Sequence, residues 1–413
     1  MRLPTISTYR NQVQQLSKTY DNISRIQDQV SSGKKFSRTS ENPVAGQHIK
    51  SINNFISRIE SYNNNLSLSE NRAAVMDSNI GQAISRIDRA LELVQQAKNG
   101  GLTDDNRSNI AEEIKSILQE VLNIANTRDT NGEYIFSGFN SNIQAFSKTA
   151  GQYQYQGSTE GSQIEIGEGV QVLYNESGQR VFGNIKNGNG EYSISSDTLN
   201  NTGSGQLNKI DITNHSLTPQ SYTITMVTNS AGDLAYEVTG SNSGQMIPTP
   251  PLISPADAPT FVKGESIEID GGILANISGS PNDGDVFYIQ PSTSQNVFKT
   301  LENIVEALTI PNTNEKNKAD MGQALNQELM SLKGSFDHLV LMQTEAGNRA
   351  KLIENQNEVN SRLTFDQQKL LSHLSDTDMS VAVSELTQQL SILELSQQSY
   401  MRIQNTLFGL LSR

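Results

Sequence analysis

Four histidines, His48, His215, His338 and His373, are the side chains best suited to metal ligation or proton transfer, and their spacing serves neither. No two stand four residues apart on a helix face, as the H-E-x-x-H pattern requires, so each is expected to be an ordinary surface or packing residue. Asp129-Thr130-Asn131-Gly132-Glu133 and Asn282-Asp283-Gly284-Asp285 cluster oxygen donors of the kind calcium takes. Neither keeps the alternate-position carboxylates, the Gly at the sixth place and the Glu at the twelfth. Asn-Gly and Asp-Gly turns between periodic segments are expected instead. Gly33-Lys34-Lys35 lacks the upstream Gly and the hydroxyl residue of a phosphate loop. Gly188-Asn189-Gly190 is likewise expected to be a turn, and no G-x-S-x-G elbow occurs. The chain has no Cys, hence no thiolate site and no disulfide framework. The expectation is a protein with no catalytic residues, no bound metal and no cofactor.

Without a reaction to position, the elements themselves become informative. The chain has 413 residues, 35% of them apolar, and a formal charge of −13, which opposes a nucleic-acid partner. Nine of the 11 prolines fall between Pro219 and Pro311, and 21 of the 30 glycines between Gly132 and Gly284. Helix breakers thus collect in the middle and leave both flanks nearly free of them. The N-terminus, Met1-Arg2-Leu3-Pro4-Thr5-Ile6-Ser7, lacks the apolar stretch and cleavage site of a secretory signal. No run of about 18 apolar residues offers a membrane span.

The N-terminal flank opens on a heptad frame: Ile6, Tyr9, Val13, Leu16, Tyr20, Ile23, Gln27, Val30. Such spacing favours a coiled-coil seam. Gly33 stops it, and Pro43 suits the first turn of the next helix. A second frame from Ile49 to Val94 predicts a helix of about 45–50 residues, ending at Asn99-Gly100-Gly101. A shorter helix follows, carrying Ile110, Ile114, Ile117, Val121 and Ile124. In the C-terminal flank a short helix is expected over Val297 to Leu308, and a long one from about Asn317 to Leu374. Ser375-Asp376-Thr377-Asp378 breaks the pattern before a last frame of Val383, Leu386, Leu390, Leu393, Gln397, Tyr400, Gln404, Leu407 and Leu411. Gln27, Gln397 and Gln404 stand where a seam wants Leu or Ile, as polar residues do that fix register and partner at a cost in stability.

Between the flanks, Gln163 to Ile166, Val170 to Tyr174, Tyr222 to Val227, Leu234 to Val238, Ser266 to Ile269 and Val286 to Ile289 alternate or are β-branched and read as strands. The fold class is therefore α+β: an elongated helical coiled-coil rod built from both chain ends, with an inserted, outward-projecting β-rich domain.

Ser31-Ser32-Gly33-Lys34-Lys35, then Glu41-Asn42-Pro43-Val44-Ala45-Gly46, then Ala125 to Phe139 with its core Asn131-Gly132-Glu133-Tyr134-Ile135-Phe136-Ser137-Gly138, resemble the hook–filament junction proteins of bacterial flagella, the FlgL type within the flagellin superfamily. Glu41-Asn42-Pro43 departs from the two Asp residues that often precede this Pro in the family. The resemblance implies residues 1–42 and 376–413 as coiled-coil segments of an inner layer. It implies 43–139 and 296–375 as the rod, 140–185 as a β-hairpin region flanking it, and 186–295 as the inserted domain. The assembly seam would comprise Ile6, Tyr9, Val13, Leu16, Tyr20, Ile23, Val30, Val383, Leu386, Leu390, Leu393, Tyr400, Leu407 and Leu411. Implied partners are further copies in a ring, the preceding hook-associated protein, flagellin and a cytosolic export chaperone. The implied location is the secreted bacterial flagellum, reached through type III export. Filament flagellin is the alternative within the superfamily, and an adhesin or enzyme on a helical stalk the alternative outside it.

Overall fold

The computed structural model describes residues 3–38, 40–99, 101–250 and 254–411, with the side chains of 3–6, 8, 403 and 405–411 left aside. Among the described residues there are six α-helices: α1 (Leu3–Ser32), α2 (Pro43–Ala97), α3 (Asp104–Ala125), α4 (Val297–Leu308), α5 (Glu315–Ser375) and α6 (Met379–Leu411). The chain falls into two compact units, Met1–Leu66 with Asn355–Arg413, and Ser67–Glu354. The division lies within α2 and α5.

Helix ends follow local chemistry. Gly33 ends α1 with φ +70, a conformation that costs an L side chain about 1–2 kcal/mol. Pro43 opens α2. Thr103 caps α3 by accepting the Asn106 amide, and Asn296 caps α4 by accepting the Lys299 amide at 2.8 Å. Asp378 accepts the amides of Ser380 and Val381 at 3.0 and 3.1 Å and so starts α6.

In the larger unit one apolar core joins α2 from Met76 onward, α3, α4 and α5 as far as Met342. α4 contributes Val297, Phe298, Leu301, Ile304, Ala307 and Leu308, all buried. Phe298 lies 4.9 Å from the Phe146 ring and 5.5 Å from Tyr153, while Phe182 meets Phe136 edge-on at 5.2 Å. Phe146 and Tyr153 arrive on a small hairpin, β1 (Phe146–Thr149) with β2 (Gln152–Tyr155), Phe182 stands on the helical turn Gln179–Gly183, and a second hairpin pairs β3 (Gln163–Gly167) with β4 (Val170–Leu173).

The turn Asp129 to Glu133 is held by the helical body. The Asp129 carboxylate accepts the amides of Asn131 and Glu133, both at 2.9 Å, and pairs with the guanidinium of Arg72. Arg72 is 4% exposed, lies 3.7 Å from Glu133 and stacks 4.8 Å from the Tyr174 ring centre. The oxygens that could have served calcium are thus occupied by amides and an Arg. Asp285 is similar: it accepts the amides of Thr202 and Asn282 at 2.7 and 2.8 Å.

The remaining strands are β5 (Ile185–Lys186), β6 (Tyr192–Ser196), β7 (Gln206–Ile212), β8 (Tyr222–Thr228), β9 (Leu234–Gly240), β10 (Gly244–Ile247), β11 (Ser266–Ile269), β12 (Ile273–Ser278), β13 (Val286–Pro291) and β14 (Ser294–Gln295). A five-stranded antiparallel sheet, β10-β9-β8-β13-β6, faces a three-stranded one, β11-β12-β7. Their inward residues alternate along β8 and β12 and share one core, with Tyr222, Ile224, Ile273, Ile277 and Phe287 wholly buried. Strands β6, β7 and β12 extend the set that alternation predicted.

This sandwich leaves and rejoins the helical body at one point. β5 pairs with β14, the Asn187 amide donates to the Thr293 carbonyl at 2.9 Å, and the Thr293 amide donates to Asn187 Oδ1 at 2.8 Å. It also rests on α5 through polar contacts: the Leu207 amide to Gln323 Oε1 at 2.7 Å, Gly188 to Ser331 Oγ at 2.9 Å, and Asn326 to Asn208 Oδ1 at 2.9 Å. Met330 adds an apolar contact to the sandwich core. A closed stem over a mostly polar seat should make the insertion separable. Replacing residues 188–291 by a short Gly/Ser linker is expected to leave the helical melting transition within a few degrees of the parent. A collapse of helicity on circular dichroism would show that the sandwich is part of the helical core.

Candidate assembly surface

In the smaller unit α1 and α6 lie side by side, running in opposite directions. Tyr9 and Tyr400 share a hydroxyl–hydroxyl hydrogen bond of 2.8 Å near one end. That bond raises the Tyr400 phenol above its ordinary value. Near the other end the breaks themselves pair: the Lys35 amide donates to the Ser375 carbonyl at 2.7 Å and the Thr377 amide to the Gly33 carbonyl at 2.8 Å. The Lys35 ammonium donates to the His373 carbonyl at 2.5 Å. Hydrogen bonds from Ser372 and Ser375, with the charges of Lys34 and Lys35, hold the Asp376 carboxyl below the usual range. Gly33 therefore does two things at once. It turns the backbone, and it presents the carbonyl that ties α1 to the start of α6.

The contact between the helices uses a stripe adjacent to the expected one. On α1 the residues turned to the partner are Gln12, Leu16, Thr19, Ile23, Ile26 and Val30, with Ile23 6% and Ile26 0% exposed. On α6 they are Ala382, Leu386, Gln389, Leu393, Ser396 and Tyr400. Leu16, Ile23, Val30, Leu386, Leu393 and Tyr400 of the expected seam lie on this stripe. Tyr9, though 38% exposed, joins it through its bond to Tyr400, whereas Val13, Tyr20, Val383 and Leu390 do not and are exposed. Ile6, Leu407 and Leu411 lie outside the residues whose side chains are described. Gln27, Gln397 and Gln404 are all exposed, although the Gln397 amide donates to the Tyr20 hydroxyl at 2.9 Å.

The two stripes share every second position and diverge by one residue, roughly 100° around the helix, at the others. Both have the 3-4 spacing of a seam. The sequence frame followed Val13 and Tyr20, larger than Gln12 and Thr19, and so passed over Ile26. The signal for Ile26 was present, three residues after Ile23 and four before Val30. α6 also exposes Val381, Ile392 and Leu395 on its other flank, where Ile392 and Leu395 join Gln12 and Gln15 of α1 around a groove of about 260 Å³. Each helix is thus apolar over a wider face than the pair consumes.

Residues 5–141 match the family described as the bacterial flagellin N-terminal helical region. The crystal structure of flagellar hook associated protein-3 from Legionella pneumophila is similar at a TM-score of 0.76 and 30% identity, covering 79% of this chain and 98% of that one. The flagellar junction protein FlgL from the same organism gives 0.70 and 31%, covering 75% and 99%. The chain belongs to the FlgL family. A curated FlgL-family relative, flagellar hook-associated protein 3 of Escherichia coli, is 25% identical over 185 residues, 45% of this chain and 58% of that protein. The chain thus spans a little over half the length of the curated relatives it matches. The FlgL fold of long terminal helices around a central β-rich domain is the one described above. Among the described residues no helix is long and apolar enough to cross a membrane.

The displaced stripe gives this FlgL-family chain a measurable signature. Ile26→Ala should weaken the α1–α6 pair by about 2 kcal/mol or more, seen as roughly thirtyfold faster amide exchange across both helices. Val13→Ala should change exchange by less than about threefold, as exposed substitutions do. Equal effects from the two would place the contact on the Val13–Tyr20 stripe instead.

Proposed function

We propose that the chain is the structural junction between the preceding hook-associated protein and the flagellin filament, assembled as a ring of copies outside the cell after type III export. The observation that carries the reading is the unspent apolar surface of α1 and α6. Tyr20 is 52%, Val383 47% and Leu390 45% exposed, in heptad spacing beside a stripe that the two helices already bury against each other. Such a second stripe has a use in a layer of many helix pairs, each flanked by others. The formal charge of −13 would keep single copies apart before that layer forms. In the cytosol an export chaperone would cover the same α6 surface.

The test is a deletion strain observed by electron microscopy together with the proteins in its medium. Intact hooks without filaments, with flagellin lost to the medium and filaments restored by this chain, are the expected result. Filaments that still form without the chain would remove the reading.

A substitution separates the two stripes. Leu390→Asp should leave the thermal midpoint of the free chain within about 2 °C, since the residue is exposed there. It should abolish complementation, because a charge desolvated on an assembly surface costs several kcal/mol. Full motility with Leu390→Asp would show that this stripe faces solvent in the assembled state as well.

A further inference from the structure

Glu328 sits in the first quarter of α5 with only 5% of its surface exposed. One carboxylate oxygen accepts the amide of Asn303, on α4, at 2.8 Å; the other is buried and has no hydrogen-bond partner. Among the described residues no cation forms an ion pair with it. The charged groups that act on it are on α4 and of opposite sign, Lys299 and Glu306, and the amide of Gln295 on β14 also reaches it. Lys299 cannot serve Glu328 alone, because its ammonium is 3.2 Å from Glu302. An ionised Glu328 is therefore a buried charge supported by neutral amides, a costly state. A protonated one asks only for an acceptor.

The position magnifies the cost. α4 is the segment that closes the aromatic cluster, with Phe298 packed on Phe146 and Phe182. Asn303, the residue that holds Glu328, is on that same helix, so a change in the Glu328 charge acts directly on the α4–α5 contact.

We propose that Glu328 is a proton-operated latch: protonated it closes α4 onto α5, and ionised it makes the α4 segment open more often and uncover the aromatic cluster. Burial, opposed by the weaker help of Asn303, pushes its carboxyl from 4.5 up to about 7. The folded value lies above the value of the opened chain. The latch is therefore fully engaged below about pH 4.5, weakens as pH rises towards 7, and is constant above.

Amide exchange of the full chain, corrected for the intrinsic pH dependence of exchange, reads this directly. Protection of residues 297–308 should fall at least about tenfold between pH 5 and pH 8, with little change in α3. Glu328→Gln, which is neutral and similar in shape, should hold the low-pH protection at both values. Asn303→Ala removes the hydrogen bond that favours the ionised form, so the fall should move to higher pH. Protection that is flat with pH in the parent overturns the proposal. So does an equal fall in Glu328→Gln, or a fall that Asn303→Ala leaves at the same pH.

Discussion

The register of the α1–α6 pair depends on backbone pairing between two helix breaks that are more than three hundred residues apart in the chain. Gly33 and Lys35 meet Ser375 and Thr377 through amide–carbonyl bonds of 2.7 and 2.8 Å. This pairing sets where α1 begins to run beside α6, and Tyr9 with Tyr400 completes the alignment at the far end. Between them only Thr19, Ile23, Ile26 and Ala382 are buried among the described residues of the two helices. Alignment thus comes from polar groups at the ends, and the apolar middle is thin. A pair built this way has a definite register without spending all its apolar surface.

The larger unit is organised on the opposite principle. Its core is continuous and aromatic, fed by four helices, the β1–β2 hairpin and the turn that carries Phe182. Polar groups there act as ties around the core. Arg72 holds the Asp129 turn, and Glu176, 5% exposed, receives Arg349 at 2.8 Å and Arg180 at 3.3 Å. The string from Arg128 to Tyr134 thus owes its residue types to packing. Arg128 lies over the Tyr134 ring at 4.3 Å and donates to its hydroxyl at 2.6 Å, while Gly132 supplies φ +83.

Where the local signal was complete, the sequence was enough. Val297 to Leu308 has a capping Asn before it, an apolar face within it and Pro311 beyond it, and the helix has those limits. The long helices followed in the same way from Pro43, Asn99 and Ser375. β2, Gln152-Tyr153-Gln154-Tyr155, and β6, Tyr192-Ser193-Ile194-Ser195-Ser196, were less legible. Their residues are short, polar or mixed, and their strand character comes from pairing with β1 and β13. On the candidate surface the heptads of α1 and α6 were plain but their rotation was not. A helix apolar over a wide face offers two seams with equal spacing, and only the partner decides between them. Gln12 opposite Ser396 and Ser399 carries no hydrophobic signal, yet it lies on the occupied side.

The closed stem at Asn187 and Thr293 has a topological consequence. A segment whose two ends are already hydrogen-bonded can change length with only a logarithmic change in closure entropy, about 0.6 kcal/mol for each doubling. The helical body sees the same two strand ends whatever hangs between them. The stem is therefore a natural boundary, at which outer material can be lengthened, shortened or exchanged without moving the ends that the helices hold.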